Sequence, residues 1–209
     1  MVQRPSLTIS PRVTIVVPTY NRCDRLRRVL SALEKQTCGT DAFDVVVVSD
    51  GSTDGTDDFL ASLRAPLTVI VERQANAGPA SARNRGVELA TAPLVLFLDD
   101  DVVATPQLVA QHLASHARAP DLVVIGPMIA PPGFRMQPWV AWEQAMLDKQ
   151  YRALETDVFE TTHRQFYTGN ASVPRARLIE AGGFDTRYRR AEDVELAFRL
   201  HQLGLRFEF

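Results

Sequence analysis

The chain has 209 residues, 45% of them hydrophobic and 23% charged, with a formal net charge of −2. That length buries the core of one ample globular domain, and the composition excludes a disordered, fibrous or disulfide-framed chain. The near-neutral balance offers no basic face to follow a phosphate backbone, so nucleic acid is excluded as an expected partner, and any phosphate bound here needs a metal or a few placed arginines.

Residues 1–11 form a polar leader closed by Pro11, without the charged-then-apolar grammar of a signal peptide. No later stretch of roughly 18 apolar residues marks a transmembrane segment. The expected location is the cytoplasm, with peripheral association at the inner face of the membrane as a compatible arrangement. Val13-Thr14-Ile15-Val16-Val17 reads as a first buried strand ended by Pro18, followed by the loop Thr19-Tyr20-Asn21-Arg22. From there to about Gln36, Leu26, Val29, Leu30 and Leu33 recur at helical spacing, with Arg25, Arg27, Arg28, Glu34 and Lys35 on the other side. Cys23 and Cys38 form no CxxC and are expected to be reduced structural thiols.

The unit repeats: Phe43 to Val48 as a second strand, the loop Ser49 to Thr56, and a short helix through Asp57 to Ala61. A calcium loop starting at Asp50 fails, because its twelfth position is Ala61 where a bidentate Glu is needed. Asp54 or Thr56 is expected to cap the helix, which leaves Asp50, the first residue past the strand, as the functional candidate. A third strand, Leu67 to Val71, leads to Asn76-Ala77-Gly78-Pro79, where Gly then Pro signals a helix running to about Ala90. Arg83 and Arg85 stand in its first turns against the macrodipole, and a negative ligand at the same edge would explain them.

Leu94-Val95-Leu96-Phe97-Leu98 is an uninterrupted apolar run, the pattern of a strand buried on both faces. It stops at Asp99-Asp100-Asp101, at the carboxyl end where open α/β sheets bind ligands. Adjacent carboxylates are costly without positive charge nearby, and their hard oxygens suit Mg²⁺ or Mn²⁺. Alternation in an extended chain lets Asp99 and Asp101 converge on one ion while Asp100 points elsewhere. The chain so far reads β-α-β-α-β-α-β with short connections, the signature of a parallel sheet with right-handed crossovers.

Thr105-Pro106 opens a helix to about Ala117. Its His112 and His116 are four apart but lack the Glu of HExxH, so a solvated helix face is the favoured reading. Asp121 to Ile129 is a further strand, and a helix from about Pro138 to Leu154 carries Trp139, Trp142, Met146 and Tyr151, expected to pack in the core. Residues 155–165 read as a polar, mobile loop. Pro174 starts a helix closed by Gly182-Gly183, and Glu192 to Gly204 is a helix with acids in its first turn. Glu192, Asp193 and Glu195 exceed what a helix start requires, with Arg187, Arg189 and Arg190 as counter-charge. Leu205 to Phe209 reads as a strand.

Six ordered motifs then stand together: VTIVVPTYNR at 13–22, VVVVSDGSTDGT at 45–56, NAGPASARNRG at 76–86, LFLDDD at 96–101, GNASVPRARLIEAGGFD at 169–185 and Glu192-Asp193. In order and spacing the chain resembles family 2 glycosyltransferases, inverting enzymes of the GT-A fold. The resemblance implies a mainly parallel sheet flanked by helices, with residues of about 12–120 forming the nucleotide-sugar-binding half of a single domain and about 121–209 a less regular acceptor-side half. It implies that Pro18, Thr19, Tyr20, Asn21 and Arg22, with Gly51, Ser52, Asn76, Gly78, Asp99 and Asp100, line a UDP-, GDP- or dTDP-sugar. Asp50 matches the acid that holds the nucleobase and Arg83 a basic residue near the nucleotide. Asp101 and Asp99 match the metal-binding DxD motif, Asp101 as the direct ligand. Glu192 and Asp193 match the acceptor-side catalytic pair, Asp193 being the candidate base. The expected acceptor is a glycan or lipid-linked hydroxyl. Family members commonly run on past the last helix to a further metal ligand, so the resemblance implies either that a chain ending at Phe209 is truncated or that its active site is incomplete. A nucleotidyltransferase and a non-catalytic nucleotide-sugar binder are the competing readings; the first lacks a GxGxxG or Walker loop for a triphosphate.

Overall fold

Four apolar runs, each too short and too continuous for an amphipathic helix, become the strands β1 (Val13–Thr19), β2 (Phe43–Asp50), β3 (Val69–Gln74) and β4 (Leu94–Leu98). The computed structural model describes residues 12–131, 133–156 and 158–209, so the polar leader 1–11 lies outside the described residues. Helices α1 (Cys23–Leu33), α2 (Thr56–Ser62) and α3 (Pro79–Leu89) connect the strands in parallel. Val13 of β1 pairs with Phe43 on one side and Leu94 on the other, giving the order β3-β2-β1-β4. The chain therefore winds outward in both directions from β1, and the strand-end loops splay apart between β1 and β4, where such sheets open a crevice.

The rest of the chain adds α4 (Leu108–Arg118), β5 (Leu122–Ile125), α5 (Pro138–Glu155), β6 (Asn170–Pro174), α6 (Arg175–Glu180), α7 (Glu192–Gln202) and β7 (Arg206–Glu208). The sheet order is β3-β2-β1-β4-β6-β5-β7, with only β6 running against its neighbours. Strand residues alternate between two cores. Ile15, Val17, Val47, Leu96 and Leu98 meet Leu26, Leu30 and Leu33 of α1 and Val109 of α4. Val16, Val46, Val95 and Phe97 meet α3, Leu178 of α6 and Leu196 and Leu200 of α7. Gly86 lets α3 lie directly on β1, since a Cβ there would collide with Val16.

Strand β4 is buried on both faces, as its composition requires. Strand β3 is displaced toward its polar end, to Glu72, Arg73 and Gln74, because as the sheet edge it pairs only with β2. Only Leu122–Ile125 of the expected strand Asp121 to Ile129 pairs, because the chain turns off at Gly126-Pro127, whose proline has no N–H for a ladder. Residues 155–165 contain a short 3₁₀ turn at His163–Gln165, closed by reciprocal hydrogen bonds between Thr162 and Gln165. Pro174 ends β6 and is also the N-cap of α6, so the helix expected to start there begins at the next residue, Arg175.

Two expectations are overturned. Trp139 and Trp142 are 68% and 66% exposed and Met146 is exposed too; of the four large residues on α5 only Tyr151 is buried, stacked on Phe209. The buried residues of the helix, Tyr151 and Leu154, both lie in its last turns. Nor does α4 present His112 and His116 to solvent. His112 is buried, with Nδ1 2.8 Å from Ser172 Oγ and Nε2 3.0 Å from Asn170 Oδ1, and His116 Nε2 lies 2.8 Å from the same Ser172 Oγ. Asn170 Nδ2 donates to the Pro127 carbonyl, so Oδ1 is the acceptor and His112 carries its proton on Nε2. Among the described residues no helix is long and apolar enough to cross a membrane.

Candidate active site

The loops after β1 and β2 hold one another. Asn21, in the left-handed region at φ 53, accepts from Thr53 N at 2.7 Å and gives its own N–H to Ser52 Oγ at 3.1 Å. Asp54 accepts from Cys23 N at 3.0 Å, where α1 begins, and from Thr56 N at 3.1 Å, where α2 begins. The expected helix cap is thus a tie between two helix starts, and the Thr56 hydroxyl and Cys23 N–H hold its pKa below the ordinary value. Pro18, Tyr20 and Arg22 lie along the same edge, Tyr20 and Arg22 exposed.

Asp50, at the end of β2, is buried and spends its carboxylate on the next loop. Oδ1 accepts from Gln74 Nε2 at 2.7 Å and Ala77 N at 2.9 Å, and Oδ2 from Gly78 N at 2.9 Å. Asn76 Nδ2 returns a bond to the Asp50 carbonyl at 2.9 Å. Gly51 has φ +80, and a Cβ there would sit 2.8 Å from Asn76 N. Only glycine permits that contact. One lone pair of Asp50 Oδ2 remains for a further donor.

Past β4 the chain does not stay extended: Val102 N bonds the Asp99 carbonyl at 3.1 Å, closing a turn. The alternation expected for Asp99 and Asp101 is lost, and each acid finds its own partner. Asp99 Oδ1 accepts from Arg83 Nη2 at 3.0 Å, and Asp100 Oδ2 from Thr19 Oγ1 at 2.7 Å. Asp101 Oδ2 accepts from Arg22 Nη1 at 2.6 Å and Arg25 Nη1 at 3.0 Å. Burial pushes the Asp100 carboxyl up, against the Thr19 hydroxyl and Arg22. Among the described residues no cluster of three or more His, Cys, Asp or Glu is placed to hold a metal ion. The donor type still fits one: Asp99 Oδ2 and Asp101 Oδ1 carry no hydrogen bond among the described residues, their side chains are 36% and 40% exposed, and Mg²⁺ commonly takes one or two carboxylates with water and substrate phosphate completing its shell.

The acceptor-side pair reaches this edge through α3. Arg83 is buried and donates through Nη1 to Glu192 Oε1 at 2.9 Å, while its Nη2 holds Asp99. Its Nε is buried with no hydrogen-bond partner among the described residues, and Phe184, packed edge-on to Phe97, lies 5.8 Å from the guanidinium. The cation in the first turns of α3 is therefore answered from within the protein. Arg85 pairs with Glu72 and Glu88. Asn84 grips Phe184 through both its N–H and carbonyl, fixing the loop before α7. Ala191, at φ 58, is a non-glycine in the left-handed region directly before Glu192 and Asp193. Asp193 Oδ1 accepts from Val194 N at 2.8 Å. Burial pushes its pKa up and Glu192 adds to the rise, while the Val194 N–H and Arg83 oppose it. Arg187 engages Asp185, holding that carboxyl down to about 2, rather than Glu192 or Asp193.

Sequence reasoning gave no individual role to Arg25, or to Asn84 and Gly169 within their motifs; the Gly169 carbonyl accepts from Asp99 N at 3.3 Å. The signal for Arg25 was its place in the first turn of α1, where the macrodipole disfavours a cation.

Comparison with known proteins adds relatives to this geometry. The profile of Glycosyl transferase family 2 matches residues 14–183. Validoxylamine A glucosyltransferase of Streptomyces hygroscopicus subsp. jinggangensis is 37% identical over 221 residues, covering 93% of this chain and 52% of that protein. Pre-mycofactocin glycosyltransferase of Mycobacterium tuberculosis is 30% identical, covering 94% of this chain and 40% of that protein. The chain spans about half the length of the first curated relatives it matches. Among solved structures, the mannosyltransferase PcManGT from Pyrobaculum calidifontis in complex with GDP-Man and Mn²⁺ superposes with a TM-score of 0.72 at 25% identity, covering 95% of this chain and 54% of that one. S. aureus TarS 1-349 in complex with UDP-GlcNAc gives a TM-score of 0.74 at 23% identity, covering 94% and 55%.

Proposed function

Since the chain belongs to glycosyl transferase family 2 and has the GT-A fold, we propose that it transfers a sugar from a nucleotide-sugar donor to an acceptor hydroxyl with inversion, aided by a divalent metal ion. The observation that carries this reading is the Arg83 bridge, 3.0 Å to Asp99 and 2.9 Å to Glu192, which joins the end of β4 to the start of α7. Asp99, on the edge assigned to the metal and phosphates, and Glu192, the neighbour of the assigned base Asp193, stand on one buried guanidinium. The neighbours in complex with GDP-Man and UDP-GlcNAc support a nucleotide-sugar donor.

In this reading the nucleoside lies against Pro18–Arg22, Gly51 and Ser52, and Asp50 Oδ2 accepts a hydrogen bond from the base edge. Asn76 and Gly78 shape the wall that Asp50 fixes. Asp101 and Asp99 would hold Mg²⁺ or Mn²⁺, which when bound would offset charge developing on the leaving diphosphate. Asp193 takes the proton of the attacking hydroxyl through Oδ2, its Oδ1 being fixed by Val194 N–H. Glu192, held by Arg83, sets the position of Asp193. Residues of about 12–120 serve the donor and about 121–209 the acceptor, a glycan or lipid-linked hydroxyl. The test is a panel of UDP-, GDP- and dTDP-sugars with Mn²⁺ and simple glycan acceptors, read by nucleoside diphosphate release. Release with transfer supports the proposal; pyrophosphate release makes the protein a nucleotidyltransferase, and binding without release makes it a non-catalytic binder.

A further inference from the structure

Asp101 carries more positive charge than it needs. Arg22 Nη1 and Arg25 Nη1 converge on its single atom Oδ2 at 2.6 and 3.0 Å, and Arg22 Nη1 also reaches Asp100 Oδ1 at 3.4 Å. All three side chains of the main contact meet solvent, at 43% for Arg22, 57% for Arg25 and 40% for Asp101. Each guanidinium has five N–H donors. The Nε and Nη2 groups of both arginines make no hydrogen bond among the described residues, so two planar forks face solvent at the carboxyl edge of β1 and β4. Arg25 is moreover in the first turn of α1, where the helix itself opposes a cation.

We propose that Arg25, with Arg22, is a diphosphate-binding residue that rests on Asp101 until the donor arrives and then passes to the phosphates, so that these arginines and the divalent cation compete for Asp101. The inference rests on the proposed function for the identity of the diphosphate, but the competition itself does not. Forked guanidinium donors match phosphate oxygens bidentately, which a single carboxylate oxygen cannot satisfy. When the forks turn to phosphate, Asp101 regains the free carboxylate that a divalent cation requires. Cation and nucleotide each make room for the other. Their coupling is reciprocal: the cation raises nucleotide affinity by the factor by which nucleotide raises cation affinity.

This gives one substitution two effects of opposite sign. Arg25→Gln removes a competitor from Asp101, so Mn²⁺ alone binds more tightly, by roughly twofold to fivefold for an exposed pair. The same change removes a phosphate ligand, so UDP or GDP in metal-free buffer binds more weakly, by about threefold or more. Arg22→Gln/Arg25→Gln enlarges both effects. The experiment measures Mn²⁺ binding to the full chain by electron paramagnetic resonance of the free ion, and nucleotide binding by calorimetry with and without Mn²⁺. Circular dichroism confirms that each variant is folded. Tighter Mn²⁺ with weaker nucleotide supports the proposal, and a partial return of nucleotide affinity in Arg25→Lys supports the charge assignment. Unchanged or weaker Mn²⁺ binding in both variants overturns the competition whatever the nucleotide does. Unchanged nucleotide affinity, when the parent protein binds UDP or GDP, overturns the phosphate role while leaving the proposed function standing. A parent protein that binds none of these nucleotides sinks the proposed function and the phosphate role together.

Discussion

Arg83 and Glu192, 109 positions apart, form a buried ion pair at 2.9 Å, and it is through this pair that the last helix is registered against the strand-end loops. Burying a guanidinium is tolerable only while its carboxylates remain, and breaking such a pair by removing one partner strands the other charge.

Arg83→Met is therefore expected to destabilise the protein by about 3 kcal/mol, the range for an uncompensated buried charge. Arg83→Met/Glu192→Gln should recover part of that loss, because the stranded carboxylate is gone. Urea unfolding of the two variants and the parent protein checks this. A double variant less stable than Arg83→Met would mean that Glu192 is held by something other than Arg83.

The histidines of α4 give the stability a defined pH dependence. Burial lowers His112 and His116 from 6.5 to about 4 in the folded protein. A proton thus binds the unfolded chain first, so their contribution is complete above pH 6.5 and is lost as pH falls from 6.5 toward 4. For the nearly inaccessible His112 the loss amounts to about 3 kcal/mol, with a smaller share from the more exposed His116. Denaturation midpoints between pH 7.5 and 4 should fall along this course, and His112→Gln should flatten it.

Asp193→Asn should reduce kcat by roughly a hundredfold to ten-thousandfold while leaving nucleotide affinity intact, the signature of a lost general base. Because burial raises the Asp193 pKa, the acidic limb of the kcat profile should lie above the range of an exposed aspartate. Transfer assays paired with nucleotide calorimetry separate this from a helix-start role, which would leave kcat unchanged.

Asp50→Ala removes the acceptor for Gln74, Ala77 and Gly78, leaving two backbone N–H groups of one loop without their partner. A loss of about 1–3 kcal/mol in stability follows. Nucleotide binding should weaken with no change in its dependence on Mn²⁺ concentration. Collapse of the metal dependence would place Asp50 beside the ion.

What could be read along the chain was whatever neighbouring residues decide. The run Leu94–Leu98 announced a doubly buried strand, and Gly78-Pro79 announced a helix start, because both depend on residues within a turn of each other. Strand β6 was hidden, since the polar Asn170 and Ser172 carry no strand signal of their own, and His112, some 60 positions earlier, supplies their hydrogen bonds inside the core. The motif residues of the first four strands lie on one edge, as parallel winding demands. Their individual partners did not follow from type or spacing. Asp99, Asp100 and Asp101 are adjacent in the chain yet answer to Arg83, Thr19 and Arg22 in turn, because the chain bends where alternation assumes it straight. Aromatic content misled on α5, where only Tyr151 and Leu154 are buried.

The antiparallel strand also dictates an order of assembly. Strands β1, β2, β3 and one edge of β4 find their partners within residues 13–98, whereas among the described residues β5 pairs only with β6 and β7, both of which are synthesised after it. While the chain emerges from the ribosome, β5 has no partner, and the apolar flank of β4 stays open until Asn170–Pro174 arrives to fill it. That interval leaves an unpaired hydrophobic edge, the feature through which chains cross-pair and aggregate. Between the appearance of Leu98 and that of Pro174 the outer edge of β4 has no strand beside it.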